Sequence, residues 1–293
     1  MSFFTLYQGD AATVLKEHVA SESVDCVVTS PSYWQKRDNG VIGQIGLEVL
    51  YTDFLEKLWQ VFGEVKRVLK SSGTCWVVID DTSNGSKKGN TNGILTSRGS
   101  GTVKQKAGLR ELGTKGVNKK PQPGFMENSL LQIPHRFSIG MQDRLGWGIP
   151  NDITWYKSNG QPNTAKKRCT YGYDERIFLF VKSHKDMYFV VPQVPSKQKD
   201  PSKMISAHQV WEIQTEQSSE KHYSAFPLAL SNRCINAGCP PGGTVLDLFM
   251  GSGTTGVAAL QLDRKFIGID ISPTYVEIAR KRLDSVGGQT RLF

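Results

Sequence analysis

The chain predicts an α/β fold: one sheet whose strands alternate with helices along the whole length, broken by two irregular insertions. Three observations carry this. Short apolar runs recur and end in polar residues, as in Val24-Asp25-Cys26-Val27-Val28, Thr74 to Ile79, Ile177 to Val181 and Phe266 to Ile269. Between such runs lie stretches with helical apolar spacing. The clearest starts at Tyr51, where Phe54, Leu55, Leu58, Phe62, Val65 and Leu69 share one face over about five turns. Finally, the densest glycine turn, Gly251 to Gly256, follows directly on the apolar run Val245-Leu246-Asp247-Leu248.

In order, Leu6 to Gln8 predicts a short strand ending in Gly9-Asp10, and Ala11 to His18 a helix. Val24 to Val28 is a buried strand running straight into Thr29-Ser30-Pro31-Ser32-Tyr33-Trp34, and polar Gln35 to Gln44 makes a loop. The helix from Tyr51 is expected to stop at Ser71-Ser72-Gly73, before a strand from Thr74 that ends at Asp80-Asp81. A helix from Leu130 to Leu145 precedes strands at Asp152 to Tyr156 and Ile177 to Val181. Lys182 to Tyr223 is polar and proline-punctuated apart from Val210-Trp211-Glu212-Ile213. A helix from Pro227 to Ala237 leads to the glycine turn. Ser272 and Pro273 start the last helix as N-cap and first-turn proline, with Tyr275, Ile278, Ala279 and Leu283 on its inner face.

No internal repeat is visible, and 293 residues at 38% hydrophobic content are enough for one full core, so a single domain over 1–293 is expected. The five cysteines are odd in number and lack a C-x-x-C pair, so reduced, mostly buried thiols are expected and no metal site. No apolar run approaches the roughly 18 residues of a membrane span. With Met1-Ser2-Phe3-Phe4 lacking the features of a signal peptide, a cytoplasmic protein without a membrane partner is expected. The net charge of +9 favours a polyanionic partner. Most of it lies between Asn84 and Asn128, where nine lysines and arginines face only Glu111 and Glu127 in a Gly/Ser/Asn-rich background. This insertion reads either as a solvated loop or as a basic arm on a phosphate backbone.

Gly251, Gly253 and Gly256 fit G-x-G-x-x-G between a strand and a helix start, and Asp270 closes the next strand. That is a nucleotide-cofactor unit, in which glycines let backbone approach the ligand and the acid takes ribose hydroxyls. Asp247 at the strand end would repel a pyrophosphate and suits a cofactor with a cationic amino-acid end, such as S-adenosylmethionine. Alone, the motif leaves S-adenosylmethionine, NAD and a ligand-free packing turn all open. Ser30 to Trp34 sits at a strand's carboxyl end, where open α/β sheets place ligands. It offers a hydroxyl, a backbone stiffened by Pro31, and two aromatic faces, which suits an exocyclic amine held between acceptors beside a stacked base. The bland alternative is a Ser-Pro turn with two core aromatics.

Thr29 to Trp34 resembles the T-S-P-P-Y-W motif of DNA amino-methyltransferases, and Asp247 to Gly256 resembles their D-x-F-x-G-S-G-T motif. The catalytic motif comes first and the cofactor motif near the C-terminus, as in the permuted β group of that family. Gly9-Asp10 resembles the family's Gly-Asp, and His222 to Pro227 its H-x-x-x-F-P segment. The resemblance implies a Rossmann-like, S-adenosylmethionine-dependent methyltransferase sheet with circularly permuted motif order. It implies catalytic roles for Ser30, Pro31, Ser32, Tyr33 and Trp34. It places the cofactor against Asp10, Thr29, Phe226, Pro227, Asp247, Phe249, Gly251, Ser252, Gly253, Thr254 and Asp270. Ser32 departs from the family's second proline, so a less rigid loop is expected in an active enzyme, an inactive relative being the alternative.

The implied partner is double-stranded DNA, with the target base flipped out and stacked on Tyr33 or Trp34. Serine at position 30 goes in that family mostly with cytosine N4; adenine N6 is the alternative. Lys104, Lys106, Lys119 and Lys120 are the expected phosphate contacts, and 182–221 the expected target-recognition segment. A restriction endonuclease is the expected functional partner, and monomer and homodimer both stay open.

Overall fold

The computed structural model describes residues 3–36, 38–85, 121–160, 172–195, 204–216 and 227–289. Its elements are β1 (Phe4–Gln8), α1 (Ala11–His18), β2 (Val24–Thr29), α2 (Tyr51–Val68), β3 (Leu69–Ile79), α3 (Ile133–Leu145), β4 (Gly148–Tyr156) and β5 (Asp174–Val181). There follow β6 (Gln193–Pro195), β7 (Met204–Ser206), β8 (Val210–Glu212), α4 (Leu228–Gly238), β9 (Thr244–Asp247), α5 (Thr254–Gln261), β10 (Lys265–Asp270) and α6 (Pro273–Gln289).

Eight strands form one sheet in the order β1-β10-β9-β2-β3-β5-β4-β8. The strands from β1 to β3 in this order run parallel. The direction then reverses at β5, which pairs antiparallel with both β3 and β4, while β8 lies parallel to β4. The last two strands of the sequence, β9 and β10, thus slot between the first two, β1 and β2. This is the spatial form of the permuted motif order.

The period of two along each central strand builds two cores, one on each face. Val27, Cys75, Val77, Phe178 and Phe180 point to the side covered by α1, α2 and α3. Their neighbours Cys26, Val28, Trp76, Val78, Ile177 and Leu179 point to the side covered by α4, α5 and α6. Strands buried on both faces explain why β2 and β5 read as continuous apolar runs rather than alternating ones. On the second side α4 comes very close: a Cβ on Gly238 would stand 2.1 Å from the Thr74 hydroxyl. That hydroxyl donates to the Gly238 carbonyl at 2.9 Å and accepts from Trp76 Nε1 at 3.1 Å.

Several boundaries depart from expectation: α3 begins at Ile133 and not Leu130, β4 at Gly148 and not Asp152, and β5 at Asp174 and not Ile177. Helix α2 ends at Val68 and β3 begins at once with Leu69, so Ser71-Ser72-Gly73 is strand and not a stop. Leu69 pairs with Val24, and the register shifts before Cys26 pairs with Thr74. Gly73 fits this irregularity because a Cβ there would lie 2.6 Å from Leu69 Cδ1. A strand irregularity and a helix stop share the same residue types, and only pairing separates them. On α6, the buried inner face is Ala279 and Leu283, with Val276 packed beside them, while Tyr275 turns toward the cavity described below.

Lys104, Lys106, Lys119 and Lys120 lie outside the described residues, but both ends of the basic insertion are held. Ser83 and Leu130 form an antiparallel bridge. Asn84 is 2% exposed; its side-chain Oδ1 accepts from Gln122 N at 2.7 Å, and its Nδ2 donates to the carbonyls of Phe125 and Met126 at 3.1 and 3.3 Å. The 182–221 segment divides between roles. Strands β6 and β7 form a separate two-stranded sheet, whereas β8 edges the main one and Trp211 packs on Trp76 with centroids 5.9 Å apart. No helix among the described residues is long and apolar enough to cross a membrane.

Asn84→Ala removes the acceptor of the buried Gln122 N–H and the side-chain donor to the Phe125 and Met126 carbonyls, of which Met126 keeps Ser129 N. A loss of about 2–3 kcal/mol in urea unfolding is expected; a loss below a few tenths would mean that the Ser83–Leu130 bridge alone closes the neck.

Candidate active site

The parallel strands end on one edge of the sheet. There Gly9 and Asp10 follow β1, Asp270 ends β10, Asp247 ends β9, Ser30 follows β2 and Asp80 follows β3. The antiparallel β5 starts at the same edge with Asp174 and Glu175, and β4 ends there just before Lys157. All of these but Asp174 wall a single cavity of about 700 Å³. One half is lined by Asp10, Asp247, Phe249, Gly251, Ser252, Thr254, Asp270 and Tyr275, the other by Ser30, Pro31, Ser32, Tyr33, Asp80, Lys157 and Glu175.

In the first half the turn is left-handed at Gly251 (φ 50°) and Gly253 (φ 82°), which a side chain disfavours. The glycines do different work. Space is open where a Gly251 Cβ would be, whereas a Cβ on Gly256 would stand 2.6 Å from the Phe266 ring. Gly251 therefore faces the cavity and Gly256 serves helix–strand packing. Asp270 accepts from Gly251 N at 2.9 Å and from Ser272 N at 2.8 Å, so it braces the turn and the start of α6 while lining the cavity. Arg282 of α6 adds a brace the sequence did not suggest, donating to the carbonyl and hydroxyl of Ser252 at 2.6 and 2.8 Å. Asp10 caps α1 through Thr13 N at 2.9 Å.

Asp247 joins the two halves. Its Oδ1 accepts from the Thr29 hydroxyl at 2.7 Å and from Phe249 N at 3.1 Å, and its Oδ2 accepts from the Thr255 hydroxyl at 2.7 Å. Burial pushes its pKa up to about 6, outweighing the three donors that favour the charge. The carboxylate expected to face a cationic ligand end is thus also the tie between β2, β9 and α5.

In the second half Ser30, Pro31, Ser32 and Tyr33 line the wall, but Trp34 does not. It is 2% exposed, sits in the core under α2, and its Nε1 donates to the Glu48 carbonyl at 2.9 Å. The expectation that Trp34 offers a stacking face is corrected: its indole is buried in the core and does not line the cavity, leaving Tyr33 as the aromatic of this stretch in the wall. Ser32, in place of a proline, sits in a loop held otherwise. Gln35 N donates to the Gly46 carbonyl at 2.7 Å, and Gly46 (φ 107°) lies so close that a Cβ there would be 3.3 Å from Ser32 Cβ. Thr29, Gly253 and Pro227 build the site without lining it: Thr29 through Asp247, Gly253 as N-cap of α5, and Pro227 as buried N-cap of α4. Phe226 and His222 lie outside the described residues.

The sequence reading missed Glu175. Its Oε2 accepts from the Tyr33 hydroxyl and its Oε1 from Lys157 Nζ, with both charged side chains nearly buried at 11% and 13% exposure. Lys36 pairs with Asp80 at 3.0 Å on the same wall. The available signal was a pair of opposite charges flanking two apolar runs, Lys157 after one and Glu175 before the other; strand pairing makes them neighbours. Of the two aspartates after β3, Asp80 faces the cavity. Asp81 faces away and accepts from Gln132 N and Ile133 N at the start of α3. From the 182–221 segment, Thr215 and Glu216 reach the wall, and Asn159 clamps them by accepting from Thr215 N at 2.8 Å.

Because Asp247 titrates higher in the folded chain than its ordinary 3.8, its contribution to stability is complete below about pH 4 and lost as pH rises through about 6. Measured without ligand by urea unfolding, the parent's stability relative to Asp247→Asn should fall by about 2–3 kcal/mol between pH 4 and pH 7. A pH-independent difference would mean that the three donors cancel the effect of burial, and a parent that gains stability as pH rises would mean that they dominate it.

Comparison with known proteins agrees with this geometry. A Type II methyltransferase of Citrobacter freundii, M.Cfr9I, is 38% identical over 279 residues, spanning 95% of this chain and 87% of that protein. Among solved structures, the PvuII DNA methyltransferase (cytosine-N4-specific) superposes with a TM-score of 0.65 at 18% identity, covering 98% of this chain and 91% of that one. A putative DNA modification methylase of Thermus thermophilus, complexed with S-adenosyl-L-methionine, superposes with a TM-score of 0.61 at 22% identity over 97% of this chain and 94% of that one. With a family model for DNA methylase, of the N6/N4 methyltransferases, matching residues 24–281, the chain belongs to the DNA methylase family.

Proposed function

We propose that this methyltransferase transfers the methyl group of S-adenosylmethionine to the exocyclic N4 of a flipped-out cytosine in double-stranded DNA, with adenine N6 as the second reading. The observation that carries it is the continuous cavity, with the glycine turn and its acids at one end and Ser30 to Tyr33 at the other. The first half fits an adenosyl amino acid. Backbone is open above Gly251, and the carboxylates of Asp10 and Asp270 stand in the wall as acceptors for adenine and ribose donors. S-adenosylmethionine supplies an electrophilic methyl group. Two acceptors in the second half, the Pro31 carbonyl and the Ser30 hydroxyl, would hold the amine so that its lone pair points toward the first half. Tyr33 would stack on the base, and positioning supplies most of the rate.

Cytosine is favoured because Ser30 is neutral, where a carboxylate would be repelled by the acceptor at cytosine N3. Lys104, Lys106, Lys119 and Lys120 would follow the phosphate backbone from an insertion whose neck lies beside this loop, and 182–221 would read bases. A restriction endonuclease cutting the same site is the proposed functional partner.

Nucleoside mass spectrometry of duplex DNA incubated with the protein and S-adenosylmethionine should detect N4-methylcytosine. Ser30→Ala should raise the barrier by about 2–4 kcal/mol with cofactor binding kept. N6-methyladenine alone would transfer the reading to adenine; neither product, with cofactor bound, would mark an inactive relative.

Replacing Lys104, Lys106, Lys119 and Lys120 with glutamine should flatten the slope of log K against log salt by about 0.9 per lost phosphate contact, similarly for all sequences. An unchanged slope returns the insertion to a solvated loop.

A further inference from the structure

A serine hydroxyl facing a substrate can present its proton or its lone pairs, and here the surroundings choose. Lys157, just past the end of β4, donates to Glu175 Oε1, and the Tyr33 hydroxyl donates to Oε2. With its proton spent on Glu175, Tyr33 has only lone pairs left. The Ser30 hydroxyl donates to the Tyr33 oxygen across 3.5 Å. The chain of donors therefore runs one way, from Ser30 to Tyr33 to the Glu175 carboxylate, which also accepts from the Lys157 ammonium.

We propose that Glu175, anchored by Lys157, is a positioning residue that sets the hydrogen-bond direction of Tyr33 and through it of Ser30. Ser30 thereby presents acceptor lone pairs to the target amine. This deepens the base-methylation reading and rests on it. The direction requires an ionised Glu175. Burial works against that charge, as does Asp80 at the end of β3, itself paired with Lys36. The carboxyl's pKa is raised on balance, burial being the largest cause, and Lys157 opposes that rise: it is 13% exposed and in contact with the carboxylate, and a buried ammonium facing a neutral acid would lose its counter-charge. A glutamine at 175 can instead donate its amide N–H to the Tyr33 oxygen. That frees the Tyr33 proton for Ser30 and turns the Ser30 proton outward, against the amine. The same directionality spends the donor that a freely rotating Ser30 could offer to cytosine N3.

The test measures discrimination for the amine itself. The target site is first located by methylation sequencing of DNA treated with the parent protein. Anisotropy, in the presence of a non-reactive cofactor analogue, then compares duplexes with the natural target base and with its amine deleted, pyrimidin-2-one for cytosine or purine for adenine. Easier flipping of the weakened pair is common to all proteins and cancels in the comparison. The parent should prefer the amine, and Glu175→Gln should reduce that preference by about tenfold, the size of one misdirected hydrogen bond. Its kcat should fall while the KM for S-adenosylmethionine stays within about twofold. Tyr33→Phe, which leaves the Lys157–Glu175 pair intact, should lower the preference as well and decides the matter if Glu175→Gln fails to fold. Folded, cofactor-binding variants that keep the parental preference overturn the proposal, as does a parent that shows none. A parent yielding no methylated nucleoside overturns the base-methylation reading instead.

Discussion

The structure depends on one buried carboxylate. Asp247 holds Thr29 at the end of β2 and Thr255 in the first turn of α5, and so fixes how the Ser30–Tyr33 loop stands relative to the glycine turn. A neutral side chain of the same shape could not accept from all three donors at once. The cost of keeping the charge out of water is visible in its raised pKa, so the site is held at the expense of stability. Such a tie suits a reaction between two bound molecules, where small misplacements of one half against the other are costly.

The sheet brings the remaining charges to the same edge. Five parallel strands deliver Asp10, Asp270, Asp247, Ser30 and Asp80 at or just past their carboxyl ends, and the reversal at β5 adds Glu175 and Lys157. Without that reversal Glu175 would start its strand at the opposite edge. The mixed sheet therefore completes a wall whose acids are each balanced locally: Asp80 by Lys36, Glu175 by Lys157. Asp270 is balanced by backbone N–H groups.

Belonging to the DNA methylase family gives these pieces their order. Strands β9 and β10 come last in the chain yet sit between β1 and β2, so the first and last strands bring their ends to one edge. Asn84 binds Gln122, Phe125 and Met126, so the described ends of the 84–128 insertion are tied to each other.

Much of this was legible in the residues. Strands buried on both faces are continuous apolar runs, α2 has its period, and glycine spacing with acids at strand ends marked the edge that holds the cavity, because each signal is local. The boundary at Ser71–Gly73, the burial of Trp34 and the roles of Glu175, Lys157 and Arg282 were not legible, because each depends on a partner distant in sequence. Trp34 and Tyr33 are adjacent aromatics, and only the placement of α2 and Glu48 decides that one is core and the other wall. By itself the sequence determined the α/β class, the order of the motifs and the chemistry of the residues at the strand ends. Tertiary structure decided which of those residues touch, since hydrogen bonding and burial act through space and not along the chain.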